Sequence, residues 1–231
     1  MSLPPRSVRF ACLTLLALAM TGCGDTAKLP VEAGVGPRPE LPTPNKTMLP
    51  TLNVATATGW GDTAAPTPAA PFKVTALARQ LDHPRWLYTL PNGDVLVAES
   101  NKPPKPDEEQ SFFQKVRGMV QGMAMKRAGA QVPSANRITL LRDADGDGVA
   151  EMRNVFLSNL HSPFGMALVG NELFIANADA LVKVPYSAGQ TAAAGTPVQV
   201  TGLPAGVNHH WTKDVIAHAV GSKLFVAGGS N

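Results

Sequence analysis

Residues 81–99 read LDHPRWLYTLPNGDVLVAE, and residues 160–177 read LHSPFGMALVGNELFIAN. With one gap the two stretches superpose. Pro84 falls on Pro163, and Val95-Leu96-Val97-Ala98 falls on Leu173-Phe174-Ile175-Ala176. Pro91-Asn92-Gly93-Asp94 supplies turn chemistry between two apolar runs, so the first stretch reads as a β-hairpin. A weaker third copy, LPAGVNHHWTKDVIAHAVGSKLFVAGGSN, starts at Leu203 and also ends in turn, strand, small residue, polar residue. Leu160 and Leu203 lie 43 residues apart. Leu81 and Leu160 lie 79 apart, but an insert at 101–135 occupies much of that interval. A period in the mid-forties with several short strands per repeat predicts β-propeller blades. The expected fold class is all-β: a partial β-propeller, about three blades of a six-bladed architecture, with a helical insert.

Three segments precede or interrupt the repeats. Residues 1–22 carry Arg6 and Arg9, then the apolar run Phe10 to Met20, then MTGC. The run is short for a bilayer span, and small residues ahead of a cysteine resemble a bacterial lipoprotein processing site. This reading makes 1–22 a lipoprotein signal peptide and Cys23 the lipidation site, with the protein lipid-anchored to a bacterial membrane, the outer one, facing the periplasm. Residues 23–71 are rich in Pro, Thr and Ala and have no helical or strand period. They read as a disordered tether, with Val54 to Trp60 as a candidate docked strand. Residues 72–231 form the partial propeller. In the insert 101–135, Phe112, Val116, Met119, Val120 and Met123 fall at helical spacing among Lys115, Arg117, Lys126 and Arg127, with Ser111 as N-cap. That helix packs across a blade edge, or serves as a lid or a membrane-touching segment.

Charge and cysteines narrow the function. The formal net charge is +3, and it falls to +1 once Arg6 and Arg9 are removed. No basic stripe alternates with aromatics, so a nucleic-acid partner is not expected. The two cysteines are Cys12, in the leader, and Cys23. The domain beyond them has no disulfide and relies on packing.

Two stretches carry chemistry. RDADGDGVAEMRN, Arg142 to Asn154, places Asp143, Asp145 and Asp147 at alternate positions with Glu151 at a ninth. Hard oxygen ligands at that spacing suit Ca²⁺, although Asn154 stands where an EF-hand has its bidentate glutamate and strand-like runs replace the flanking helices. A solvated, metal-free hairpin turn fits the same residues. NHHWTKDVI, residues 208–216, offers His209 and His210 as a proton-moving base ahead of a strand. Neighbouring side chains on a strand point to opposite faces, so the pair is not expected to chelate one ion.

LPNGDVLVAES, LHSPFGMALVGNELFIAN and NHHWTKDVI, in this order and spacing, resemble the soluble glucose dehydrogenase and L-sorbosone dehydrogenase family, over Phe72 to Asn231. Its members are six-bladed propellers carrying pyrroloquinoline quinone (PQQ). The resemblance implies PQQ-dependent oxidation of a sugar or aldose, with electrons passed to a respiratory acceptor. It implies His209 as the general base, with His210 as the alternative, and Lys213 at the cofactor-binding basic position. Where relatives place an aspartate after the next strand, this chain has Ser230. The resemblance also implies an N-terminal portion of the full enzyme, because the repeats amount to fewer than three blades. A non-catalytic lipoprotein propeller acting as a binding scaffold is the alternative. If Cys23 is the lipidated residue, Cys23→Ser releases the protein from membranes or leaves its leader uncleaved, as cell fractionation and the mass of the mature chain would reveal; a membrane-bound, normally trimmed variant refutes the anchor.

Overall fold

The computed structural model describes residues 28–43, 54–104, 112–130, 132–205 and 210–229. The leader, Cys23, Ser111, His209 and Ser230 lie outside them. By its internal contacts the chain divides after Thr56, and the folded body belongs to the unit Ala57–Asn231. In the preceding unit the regular element among the described residues is a single 3-10 turn at Val31–Gly34.

The repeats fold as blades. Strands β1 (Pro84–Thr89), β2 (Val95–Glu99), β3 (Arg137–Arg142) and β4 (Met152–Leu157) form one antiparallel sheet in the order β1-β2-β3-β4. Strands β5 (Met166–Val169), β6 (Glu172–Ala176), β7 (Ala180–Pro185) and β8 (Val198–Gly202) form a second of the same order, and β9 (Lys213–Ala217) pairs with β10 (Leu224–Gly228) in a third. The chain is an all-β, partial propeller: two four-stranded blades and the first hairpin of another. One helix, α1 (Phe112–Arg127), interrupts it between β2 and β3, within the expected insert. Helical residues Gly118 and Gly122 have low propensity, yet the helix runs through both.

Period-two alternation explains the stacking. Leu173 and Ile175 of β6, Val182 and Val184 of β7, and Met166 of β5 face the first blade, where they meet Leu96, Ala98, Ile138, Leu140 and Phe156. Their neighbours Ala167, Phe174, Ala176 and Leu181 point the other way, into a second core with Val215. The middle blade thus has two buried faces. Tyr88 ties the first two blades at their inner edge: its hydroxyl accepts a hydrogen bond from the Leu168 amide at 2.9 Å.

The repeat extends to the backbone. His83 and Ser162, each just before the matched proline, both have positive φ, 55° and 47°. This left-handed residue lets the chain turn sharply into the inner strand. Ser100 at the end of β2 locks the second turn by donating to the Pro163 carbonyl at 2.6 Å. Asn136 and Asn177 act as turn caps, accepting from the Ser162 and His161 amides.

One sequence expectation fails: residues 54–60 form no strand. The run at 72–81 serves as a strap: its Leu77 carbonyl accepts from the Ala150 amide, and Arg153 donates to the carbonyls of Arg79 and Gln80. Its backbone groups go to a loop and a side chain rather than to a neighbouring strand.

Where β5 meets β9, Gly165 has no room for a side chain. A Cβ there would overlap the Val215 amide and lie 2.7 Å from the Asp214 Cα. Gly165 also donates to the Lys213 carbonyl at 3.0 Å. Gly165→Ala should therefore cost about 1–3 kcal/mol, the usual penalty for overpacking a dense interior; a chemical-denaturation midpoint equal to that of the unaltered protein would contradict this packing.

Candidate functional site

The N-terminal ends of β1 and β9, and the residues just before β5, converge. Trp86 of β1 stacks against Phe164, with ring centroids 5.1 Å apart. Arg85 places its guanidinium 5.2 Å from the centroid of the Trp211 ring. This contact links the first blade to the third, and such a cation–π pair is worth about 0.5–2 kcal/mol depending on desolvation.

Two residues on from Trp211, Lys213 is almost fully enclosed, with 3% of its surface exposed. Its ammonium donates to the His210 carbonyl at 3.2 Å. Among the described residues no carboxylate forms a salt bridge with Lys213 or Arg85. The twin glycines closing β10 make this packing possible. A Cβ on Gly228 would lie 3.4 Å from the Lys213 Nζ, and one on Gly229 would overlap the His210 Cβ and stand 2.8 Å from its Nδ1. The bare backbone of Gly229 is therefore a seat for the His210 ring. His210 and Lys213, singled out by sequence, are brought together; His209 lies outside the described residues. Sequence reading did not single out Arg85, Trp86, Phe164, Trp211 and Gly229. The signal for Trp211 was present, between two flagged residues, whereas Arg85, Trp86 and Phe164 depend on contacts between repeats and Gly229 on a close approach within the third.

The acidic loop forms as a hairpin tip between β3 and β4, and both strand-like flanks are strands. One carboxylate oxygen from each of Asp143, Asp145, Asp147 and Glu151 can be chosen so that all lie within 4.8 Å of one another. Backbone amides already orient them: Gly146 and Gly148 donate to Asp143, Asp147 to Asp145, Val149 to Asp147 and Ala144 to Glu151. Four hard carboxylate oxygens brought this close could serve an oxygen-ligated cation such as Ca²⁺. The convergent inner-strand ends and this loop are separate regions.

Two carboxylates hold the first blade rather than the site. Glu99, with none of its surface exposed, accepts from Arg137 at 2.9 and 3.1 Å, from the Thr139 hydroxyl and from the Asp82 amide. Burial pushes its carboxyl up, but these hydrogen bonds and the Arg137 charge outweigh burial and hold it below the ordinary glutamate range. Asp94 is lowered mainly by its bidentate pairing with Arg142, at 2.6 and 2.7 Å, against opposing desolvation.

A family model described as "Domain of unknown function (DUF7133)" matches residues 74–231. The chain belongs to this family. No curated protein matches it. Among solved structures it is similar to the iodide and calcium structures of a Trichoderma reesei carbohydrate-active enzyme of family AA12. Both are 13% identical, with TM-scores of 0.48 and 0.49, covering 71% of this chain and 34% and 33% of those. It is also similar to the holo form of the pyranose dehydrogenase PQQ domain from Coprinopsis cinerea, at 17% identity and TM-score 0.44, covering 68% of this chain and 31% of that one. The chain spans about a third of the length of these structures.

The Glu99 cluster has a definite pH signature. Because its folded pKa lies below the unfolded value of about 4.5, its stabilisation is complete above that value and is lost as pH falls through the lowered folded value. Glu99→Gln should cost about 1–3 kcal/mol near pH 7 by leaving Arg137 without its carboxylate. It should also flatten the loss of stability below pH 4.5. Melts of both proteins between about pH 7 and pH 3 measure this; parallel curves would remove Glu99 from the account.

Proposed function

We propose that this protein is a PQQ-dependent dehydrogenase of a sugar or aldose, as its resemblance to the glucose and sorbosone dehydrogenases implies. The observation that carries the reading lies at the inner-strand ends: Arg85 over the Trp211 ring, Trp86 against Phe164, and the enclosed Lys213, with no carboxylate paired to either cation among the described residues. PQQ is planar, aromatic and polyanionic. Indole faces and a guanidinium suit its ring, and the enclosed ammonium of Lys213 suits a carboxylate. Burying a cation against a lone carbonyl is costly, and an arriving anion offsets that cost.

Bound PQQ would supply a two-electron acceptor. The chain's own residues hold and deprotonate the substrate. The imidazole of His209, or of His210, takes the proton of the sugar hydroxyl. Gly229 fixes the His210 ring by close backbone contact, and Lys213 holds the carbonyl of the same residue. The Asp143–Glu151 loop holds a structural Ca²⁺ at the hairpin tip. The protein works in the periplasm from a lipid anchor at Cys23 and passes electrons to a respiratory acceptor.

Reconstituted with PQQ and Ca²⁺, the protein should reduce an artificial dye when given an aldose. Replacement of the true base among His209→Ala and His210→Ala should lower the rate about 10²–10⁴-fold. Dye reduction unaffected by both substitutions defeats the catalytic assignment. PQQ binding that is undiminished in Lys213→Met defeats the assigned cofactor contact.

A further inference from the structure

We propose that His161, held by Asp179, is a further substrate-contacting residue, whose outer ring nitrogen accepts a hydrogen bond from a sugar hydroxyl. The inference rests on the dehydrogenase reading and deepens it. The His161 Nδ1 stands 2.9 Å from the Asp179 Oδ2, and the two side chains are 47% and 44% exposed. In the neutral imidazole this contact places the proton on Nδ1 and leaves a lone pair on Nε2. Among the described residues no hydrogen bond or ion pair reaches that second nitrogen.

The repeat separates this pair from an ordinary structural contact. His161 falls on Asp82 of the first copy, and Asn177 falls on Glu99. The Asp82 amide donates to the Glu99 side chain, as the His161 amide donates to the Asn177 side chain. In the first blade Arg137 closes this position, 2.7 Å from Asp82 and 2.9 Å from Glu99. In the second, Ala180 opens β7 where Arg137 opens β3, so the equivalent cation is missing. The backbone of the second turn is already held without the imidazole. The His161 carbonyl accepts from the Ala178 amide at 2.9 Å, the Ala180 carbonyl from the Asn177 amide at 2.8 Å, and the Asp179 carbonyl from the Leu203 amide at 2.7 Å. An exposed ion pair adds little to stability.

Position and charge suit a substrate contact. His161 lies three residues before Phe164, which stacks on Trp86, and Asp179 holds the start of the segment that runs from Leu203 to His210 and Lys213. Arg85 and Lys213 attract an anion. A carboxylate behind the His161 ring does the reverse: it repels an anion and strengthens Nε2 as an acceptor. A neutral hydroxyl is the matching group, so the sugar and the anionic ring are recognised by separate side chains.

The full chain, labelled with ¹⁵N-histidine and given PQQ and Ca²⁺ without an electron acceptor, is titrated with D-glucose. The His161 signal is assigned by its loss in His161→Gln. Before glucose it should report the Nδ1-protonated tautomer, and glucose should shift its Nε2 resonance saturably. Asp179→Ala should abolish the tautomer preference. In dye reduction His161→Ala should raise KM about 2–10-fold, the worth of one neutral hydrogen bond, and leave kcat nearly unchanged. His161→Gln keeps an acceptor and should restore most of the loss. An unmoved His161 resonance, or an unchanged KM in His161→Ala, overturns the contact, and continued dye reduction then leaves the dehydrogenase reading intact. A saturable shift without dye reduction supports the contact and removes that reading. A larger shift with gluconate than with glucose assigns the pair to an anion and overturns the proposal. So does a fall in kcat of about 10²-fold at unchanged KM, which would make His161 a base.

Discussion

The alternation of side chains along β6 and β7 is the constraint on which the structure depends. Leu173, Ile175, Val182 and Val184 enter one core, while Phe174, Ala176 and Leu181 enter the other. A slip of one residue would exchange the two sets, so register in the middle blade is fixed from both sides. A surface sheet of this size would have polar residues at alternate positions. Here both sets are apolar, and the sheet is stable only with a neighbour on each face. Stacking is written into the strands rather than added to a finished sheet.

The site inherits its geometry from that stacking. Gly165 allows β5 to approach β9 closely, and the positive-φ residues before Pro84 and Pro163 steer the chain into the inner strands. Arg85, Trp86, Phe164 and Trp211 then meet although they come from three different repeats. Each blade contributes only one or two groups. A site assembled in this way is sensitive to blade spacing, and the absence of a side chain at Gly165 matters to it as much as the charge at Lys213.

The blades were legible in the sequence because strand period, turn residues and repeat length all pointed to one architecture. Pro91-Asn92-Gly93-Asp94 and the Leu81 and Leu160 copies needed no tertiary information. The strap at 72–81 was not legible, because its role depends on a loop and the Arg153 side chain far along the chain. His210 and Lys213 were visible as chemical types at a suggestive spacing. Their enclosure was not, since it depends on the missing side chains of Gly228 and Gly229 some fifteen residues later. Glu99 escaped notice because a glutamate ending a strand usually faces water, and only the approach of Arg137, Thr139 and Asp82 makes it a buried anchor.

Overall charge hid the most informative electrostatic feature. A formal +3 over 231 residues suggests no particular partner. The distribution is uneven. Glu99 and Asp94 are taken up by Arg137 and Arg142 within the first blade, and four acids crowd the β3–β4 hairpin tip. The inner-strand ends keep Arg85 and Lys213 without a carboxylate in salt-bridge contact among the described residues. Folding thus places Arg85 over the Trp211 ring and encloses Lys213, and reduced contact with water strengthens attraction for an anion. An anion with a flat ring gains from both the charges and the aromatic faces, whereas a neutral sugar would gain little from the two cations alone. The cluster is therefore better matched to an anionic, ring-shaped group than to a neutral one.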